Sequence, residues 1–411
     1  MKSSSSIINH LIEKISLFTE NNETGFTRFS YTEMDIEVRR LVIEEMKGLG
    51  LDVSMDYLGN LFGRRKGRKK DAPAIMIGSH LDTVKDGGKY DGIAGVITGL
   101  EVVRVLNEHQ IETDYPIEVV AFAEEEGGRF QSAFVGSNWI AGNIKEKDLS
   151  NYLDDQGIGI EEAAKSLDLL NGIVKRCKRR KINPKAMFEL HCEQGNVLEN
   201  ENISLGIVSS ITGSSSFTVI LKGMANHAGT IPMNLRSDAF YGASLISVEL
   251  NRYAKTFDTH SVGTIGSLSI KPNAYNIIPG EVKFSMDIRS LDEKNLISMI
   301  NHMKAYVEKV ALENGLEFEI KESHLKYPVK MSKELIDSLA ASAKNRKYSH
   351  RVMGSGAGHD TIVMNQLCDT VMVFVPSKNG RSHCKEEYSD PKDIAKGCDI
   401  ILDTIVSIQE T

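Results

Sequence analysis

Residues 74–108 read AIMIGSHLDTVKDGGKYDGIAGVITGLEVVRVLNE. The short apolar run Ala74–Gly78, followed by polar residues, predicts a buried strand. Glycine-rich turns surround Asp91, and the apolar spacing of Val96–Glu108 predicts a helix. A strand, a polar turn and a helix in this order are typical of an α/β layer fold.

The same alternation of strands and helices extends to both sides of this stretch. Further apolar patterns predict one helix over Thr32–Gly48 and strands over Leu51–Met55, Asn60–Arg64, Ile117–Ala123, Met187–Leu190 and Met372–Val375. We therefore expect an α/β domain with a mostly parallel sheet. In such sheets the active site lies beyond the carboxyl ends of the strands.

The segment 212–327 has a different pattern. It predicts, in order, a strand, a helix, two strands, a helix and a strand, over Ser216–Lys222, Asp238–Tyr253, Gly263–Ile270, Val282–Arg289, Leu296–Asn314 and Leu316–Lys321. This β-α-β-β-α-β order is typical of a ferredoxin-like α+β domain. We expect residues 1–211 and 328–411 to form one domain and 212–327 to form a second domain inserted into it.

Composition narrows the possible classes of protein. A chain of 411 residues usually forms more than one core, and a formal charge of −7 does not favour nucleic-acid binding. The basic runs Arg64–Lys70 and Lys175–Lys181 are typical of solvated surface loops, and a phosphate site in either is the less favoured alternative. Five scattered cysteines without a CxxC pair disfavour a disulfide framework or a zinc finger. With neither a signal-peptide pattern nor a membrane-length apolar stretch, we expect a cytoplasmic protein.

Polar clusters stand close to the predicted strands. They contain His80 and Asp82, then Asp91, the three acids Glu124–Glu126, His191, and His383. Each cluster alone is equally typical of a turn or a solvated surface. Together they supply three imidazoles and several carboxylates, each just beyond a predicted strand. This set indicates two borderline divalent cations bridged by a carboxylate.

Eight motifs then occur in a fixed order: GSHLDTVKDGGKYDG, AEEEGGRF, HCEQG, GMANHAGTIPM, PNAYNIIPG, DIRS, SGAGHD and SKNGRSH. With them the chain resembles the hydantoinase/carbamoylase branch of the M20 metallopeptidase superfamily, from about residue 60 to 391. That branch includes N-carbamoyl-L-amino acid hydrolases, allantoate amidohydrolases and β-ureidopropionases. AEEEGGRF and PNAYNIIPG favour the allantoate type, whereas the stretch VVRVLNEHQIETDYPIEVVAF favours the carbamoylase type.

The resemblance implies a role for each site residue. His80 and His191 would hold one metal, Glu126 and His383 the other, and Asp91 would bridge them. Glu125 would be the general base for a metal-activated water, and Asp82 would orient His80. The implied substrate contacts are Gln194, His227, Asn276, Arg289 and Gly358. The inserted domain would act as a lid and as the surface of a homodimer.

The expected reaction is hydrolysis of a C–N bond in an N-carbamoyl-L-amino acid or a similar ureido acid. Zn²⁺ is the expected metal, with Mn²⁺, Co²⁺ and Ni²⁺ as alternatives. The alternatives in function are an allantoate amidohydrolase, an M20-type aminopeptidase or dipeptidase, and an inactive binding relative. Two residues also have plain structural interpretations, because His227 could be a turn histidine and Arg289 could form a surface ion pair with Asp287.

Overall fold

A computed structural model describes residues 1–69, 71–178 and 182–408. These residues divide into two compact units. The first contains Met1–Ser209, Met331–Met353 and the chain from Gly358 onwards, and the second contains Ser210–Lys330 with Gly354–Ala357.

The elements have the following bounds. The helices are α1 Ser5–Ser16, α2 Glu33–Gly48, α3 Ile93–Glu108, α4 Val135–Ala141, α5 Ile160–Ala163, α6 Val197–Glu201, α7 Ala239–Ala254, α8 Glu293–Glu313, α9 Lys333–Asn345, α10 Thr361–Met364 and α11 Pro391–Ile408. The strands are β1 Asp52–Met55, β2 Leu61–Arg65, β3 Ala74–His80, β4 Ile117–Phe122, β5 Lys175–Arg176, β6 Pro184–Cys192, β7 Leu205–Ile211, β8 Gly213–Lys222, β9 Asn226–His227, β10 Val262–Thr264, β11 Leu268–Lys271, β12 Ile277–Ile278, β13 Glu281–Ser290, β14 Glu317–Lys326, β15 Val329–Lys330, β16 His350–Ser355 and β17 Asp369–Val375.

The first unit is built on a central sheet with the strand order β7-β17-β6-β3-β4-β2-β1-β5. The four adjacent strands β17, β6, β3 and β4 run parallel to one another. Strand β7 lies beside β17 and strand β2 beside β4, and both run in the antiparallel direction. Every residue of β3 and β4 is buried, as expected for parallel strands covered on both faces. The predicted α/β class with a mostly parallel central sheet is confirmed.

The second unit contains an antiparallel sheet in the order β10-β13-β8-β14, with β11 also paired to β13. Alternate residues of β13 are buried, because helices α7 and α8 cover one face of this sheet. The side chains of Asp238 and Asp292 cap the two helices by accepting backbone hydrogen bonds. The order β-α-β-β-α-β and this strand arrangement are those of the ferredoxin-like pattern.

Three sequence predictions were wrong in detail. The predicted strand Gly263–Ile270 is two strands, β10 and β11. Thr264 pairs with Asp287 and Leu268 pairs with Phe284, so this stretch has one more residue than the part of β13 opposite it. This irregularity is a β-bulge within residues 265–267. Helix α3 begins one turn before Val96, since Gly92 at φ +68° turns the chain directly into it. Strand β6 is longer than predicted, because its pairing with β17 continues to Cys192.

Other expectations concern the surface and the thiols. Within the described residues, no helix is both long and apolar enough to cross a bilayer. All five cysteines are free. The basic runs fall partly outside the described residues, which omit Lys70 and 179–181.

Candidate metal centre

The histidines and Asp91 are positioned by the parallel strands and by the start of α3. His80 is the last residue of β3, and His191 lies inside the neighbouring β6. Asp91 stands just before Gly92, which precedes α3. A Cβ atom at Gly92 would lie 2.5 Å from the His80 ring, so only glycine allows this approach.

The sequence prediction that every site residue stands just beyond a strand was therefore wrong for most of them. His191 is within a strand, Asp91 precedes a helix, and His383 follows the end of β17 at Val375 by eight residues. Asp82 and the glutamates lie just after a strand, since Asp82 follows the end of β3 by two residues and Glu124 follows the end of β4 by two. The pairing of β6 with β3, and the turns that carry Asp91 and His383, nevertheless bring these side chains together.

The carboxylate of Asp91 faces all three histidines. Its Oδ1 lies 3.3 Å from His80 Nε2 and 2.9 Å from His191 Nε2. Its Oδ2 lies 3.1 Å from His383 Nε2. Oδ1 thus faces two imidazoles and Oδ2 faces the third. A carboxylate that bridges two cations would have its oxygens placed in this way.

Backbone carbonyls orient two of the imidazoles. His80 Nδ1 lies 2.9 Å from the carbonyl oxygen of Asp82, and His191 Nδ1 lies 2.9 Å from that of Cys192. A proton on each Nδ1 leaves Nε2 with its lone pair directed towards the Asp91 side of the site. This is the arrangement of metal-binding histidines, whose other ring nitrogen donates to an acceptor.

The three consecutive glutamates take different positions. Glu124 is turned into the protein, where Oε1 accepts hydrogen bonds from the backbone N–H groups of Arg129 and Phe130 at 3.2 and 3.0 Å. Glu125 places Oε2 3.7 Å from His80 Nε2, and Glu126 places Oε1 3.4 Å from His383 Nε2. One acid is thus structural, and the other two face the histidines.

The carboxylate of Asp82 binds the backbone of the glutamates, whereas its carbonyl oxygen contacts His80. Its carboxylate accepts hydrogen bonds from the backbone N–H groups of Glu125 and Glu126, at 3.2 and 3.0 Å. The carboxylate is 3.8 Å from His80 Nδ1, whose closer partner is the Asp82 carbonyl oxygen. Asp82 thus contacts His80 through its main-chain carbonyl oxygen, while the chain bend points its carboxylate at the start of the loop after β4.

The electrostatics of the cluster reflect burial and crowding. Burial raises the pKa of Glu125, and repulsion from Glu126 adds to this effect. Burial, with the charge of Asp91, raises the pKa of Glu126 to about 7. Burial opposes ionisation of Asp91 as well, but attraction and hydrogen bonds from His191, His383 and His80 hold its pKa well below the usual range.

The donor set fits divalent metal ions. Among the described residues, four groups each have their potential ligand atoms within 4.8 Å of one another, namely His80-Asp91-His191, Asp91-Glu126-His383, His80-Glu125-Glu126 and Asp91-Cys192-Glu387. Imidazole nitrogen and carboxylate oxygen are the ligands of Zn²⁺ and related borderline cations. Positive ions would compensate the carboxylates that crowd this buried site.

The remaining expected contacts divide between the two units. In the first unit, Gln194 Nε2 lies 2.8 Å from Asp91 Oδ2 and 3.2 Å from His383 Nε2. Gly358, also in this unit, contacts the ring of Phe134.

Three expected contacts lie in the second unit. His227 in β9 pairs with Ile277 in β12, and the carbonyl of the nearby Asn276 accepts a hydrogen bond from the Ala228 N–H at 2.9 Å. Arg289 Nε donates to Asp287 Oδ1 at 2.8 Å, so the expected alternative, an ion pair between these residues, is present.

Sequence reasoning missed Glu387. Its Oε1 accepts hydrogen bonds from the backbone N–H groups of Tyr90 and Asp91 at 2.8 and 3.1 Å, and Oε2 accepts one from Ser382 Oγ at 2.5 Å. It thereby joins the loop that carries Asp91 to the loop that carries His383. No local pattern distinguishes this acid from Glu386 beside it, because its partners Tyr90 and Asp91 are almost three hundred residues away in the chain.

Residues 76–407 match Peptidase family M20/M25/M40. The chain belongs to this family. Its relatives include an N-carbamoyl-L-amino-acid amidohydrolase from Paenarthrobacter aurescens, 39% identical over 95% of both chains. An allantoate amidohydrolase from Bacillus subtilis (strain 168) is 33% identical over 98% of this chain and 97% of its own length.

A solved structure shows the same M20 fold. The amidase of the hydantoinase/carbamoylase family from Burkholderia multivorans is 34% identical, with a TM-score of 0.92 over 99% of this chain and 98% of its own. The family and fold expected from the motifs are thereby confirmed. The names of these M20 relatives agree with the expected class of hydrolases that act on C–N bonds.

Proposed function

We propose that this chain is a metal-dependent amidohydrolase that cleaves the C–N bond of an N-carbamoyl-L-amino acid. The observation that carries the proposal is the Asp91 carboxylate, with Oδ1 towards His80 and His191 and Oδ2 towards His383. Relatives named for N-carbamoyl-L-amino acids are 36 to 39% identical, and those named for allantoate are 33 to 34% identical. These identities favour the carbamoyl substrate and keep allantoate as the second candidate.

Two divalent cations fit the site, with His80 and His191 for one, Glu126 and His383 for the other, and Asp91 shared. When bound, such cations lower the pKa of a water molecule and polarise a substrate carbonyl. Zn²⁺ is the proposed metal, and Mn²⁺, Co²⁺ and Ni²⁺ suit the same donors.

The protein's own groups then perform the proton transfers. Glu125 accepts a proton from the attacking water and delivers it to the leaving nitrogen as the C–N bond breaks. Burial keeps its pKa above the ordinary range, which suits a group that must both accept and release a proton. Asp82 holds the backbone of Glu125 and Glu126, so the base and the adjacent ligand keep a fixed spacing.

Substrate recognition is assigned to a second set of residues. The planar fork of Arg289 suits bidentate binding of the substrate carboxylate. His227 donates to the oxygen that becomes negative when water attacks the carbonyl carbon. Gln194, Asn276 and Gly358 are the remaining proposed contacts.

We propose that the second unit is the lid and the homodimer surface, and that His227 serves the partner subunit's site. The segments near His227 and Asn276 carry exposed apolar side chains, including Met224, Met233 and a fully exposed Tyr275. Strands β10 and β11 lie at the edge of their sheet, where a second chain could pair. Exposed apolar side chains and an open sheet edge are typical of surfaces that associate.

The test is a substrate panel on protein reconstituted with each metal. N-carbamoyl-L-amino acids and allantoate are followed by ammonia release, and a dipeptide is followed by release of its amino acids. Fastest turnover of a carbamoyl amino acid supports the proposal. Faster turnover of allantoate or of the dipeptide would favour the corresponding alternative, and inactivity with every metal and substrate would favour a binding relative. The free, scattered cysteines are compatible with the proposed location in the reducing cytoplasm.

A further inference from the structure

Phe134 has an unusual backbone conformation next to the proposed base. It lies in the left-handed region, with φ 61° and ψ 29°, immediately before α4. A bulky side chain is uncommon there, because its Cβ atom crowds the neighbouring carbonyl oxygen. Such conformations persist where surrounding contacts impose them, and they concentrate at functional sites.

Hydrogen bonds hold this conformation on both sides of the residue. The Phe134 N–H donates to the carbonyl oxygen of Glu125 at 2.8 Å. The Phe134 carbonyl accepts from the Asn138 N–H at 3.0 Å, from Asn138 Nδ2 at 2.8 Å and from Ser137 Oγ at 3.2 Å. The direction of the ring is therefore coupled to the loop that carries Glu125.

The ring lies against Gly358, one of the proposed substrate contacts. A Cβ atom at position 358 would lie 2.8 Å from Phe134 Cζ and 3.4 Å from Ile362 Cδ1. Only glycine lets the ring pack so closely on this stretch of backbone. Phe134 as a whole is half-buried.

Gly358 directly precedes a histidine of the site region in the sequence. The next residue, His359, packs edge-on against His191, with 4.4 Å between the ring centroids. Phe134 thus connects to the proposed base through its N–H, and to the segment that contacts His191 through its ring. The ring therefore packs on the stretch of chain that leads directly to His359.

We propose that the Phe134 ring is a wall of the pocket for the substrate's side chain, and that it selects ureido acids with an apolar side chain. An aliphatic side chain would be stabilised by contact with the ring. Allantoate carries a second ureido group in place of that side chain, and such a group loses hydrogen bonds to water against an aromatic face. The inference rests on the proposed function and specifies the substrate class of that site.

The test compares two substrates that differ only in the side chain. N-carbamoyl-L-leucine has an apolar side chain, and N-carbamoylglycine has none but needs the same metals and the same base. Phe134→Ala is expected to lower the ratio of kcat/KM for the leucine over the glycine substrate by about tenfold, the usual range for lost apolar contact in a pocket. Phe134→Leu, which keeps part of the apolar surface, should lower the ratio less.

Phe130→Leu is the matched control, because Phe130 lies in the same loop but packs edge-on against Tyr31. It should leave the substrate ratio within about twofold of wild type. An unchanged ratio in both Phe134 variants, even with lower absolute rates, would overturn the assignment and leave the ring a structural role. Failure of the wild type to hydrolyse any ureido acid is a separate result, and it would overturn the proposed function together with this inference.

Discussion

Asp82 Oδ1 accepts a hydrogen bond from the backbone N–H of Glu125 at 3.2 Å. The other carboxylate oxygen accepts from the next residue, Glu126. A buried acid therefore sets the position of the proposed base through the main chain, without touching its carboxylate.

Asp82→Asn should lower kcat about 10- to 100-fold, the usual effect of removing such a supporting contact. The amide nitrogen of Asn is a donor and would face one of the two N–H donors of the glutamates. Steady-state kinetics and metal content per subunit measure the effect. Asp86→Asn, in the same loop but only partly buried, is the control and should stay near wild type. Wild-type kinetics in Asp82→Asn would show that the main-chain contact is dispensable.

Glu125→Gln should reduce kcat by about 10²- to 10⁴-fold, because the amide cannot accept the proton of the attacking water. Its metal content should remain near wild type. Glu126→Gln should instead lose metal, since Glu126 is the proposed ligand. Elemental analysis and ammonia release separate the two effects. The assignment of the glutamates would be reversed if Glu125→Gln lost one metal and retained activity.

Chelation should abolish turnover, and Zn²⁺, Mn²⁺ or Co²⁺ should restore it. The melting temperature should also fall on chelation, because ions that bind only the folded protein stabilise it. Calorimetry provides this readout without any substrate. Full activity in exhaustively dialysed, metal-free protein would contradict the hydrolytic mechanism.

Arg289→Lys should weaken binding of carbamoyl amino acids, because an ammonium group cannot reproduce the bidentate fork. The amide of the same substrate should be a poor substrate for the wild type. Arg252→Lys is the control, since Arg252 is exposed in the second unit and pairs with Glu249. Equal turnover of the acid and its amide by the wild type would rule out carboxylate recognition at Arg289.

Mixing two inactive variants, Glu125→Gln and His227→Ala, should restore activity if each site uses His227 of the partner subunit. A mixed dimer then has one site with both defects and one with neither. With random exchange, half of the dimers are mixed, so about a quarter of all sites should be intact. Continued inactivity, after exchange has been shown with an independent label, would indicate that His227 serves its own subunit.

Local patterns predicted the helices α2, α3, α7 and α8 and, in the central sheet, the strands β1, β2, β3, β4, β6 and β17. The apolar run of β3 and the periodicity of α2 identify these elements because each depends on residues close in sequence. The bulge within residues 265–267 escaped prediction, since it depends on how the chain pairs with β13. Local sequence does not fix the register between strands.

The candidate site, too, was predictable where it depends on local sequence and not where it depends on tertiary contacts. The types of residue in the clusters indicated a bridged metal pair, and the motif order gave each residue a proposed role. The backbone N–H groups that donate to Asp82 and Glu387 could not be predicted, because these hydrogen bonds join segments that are distant in sequence. Such contacts arise from the tertiary fold and leave no spacing pattern in the chain.

The position of β17 between β6 and β7 also affects how the protein can be made on the ribosome. Strand β6 is complete at Cys192, but the partner that covers its open edge ends at Val375. At ordinary rates of translation this interval lasts on the order of ten to forty seconds. During that time the nascent chain exposes an apolar strand edge in the middle of its future sheet. We expect the emerging polypeptide to need protection by a chaperone until its C-terminal segment has been synthesised.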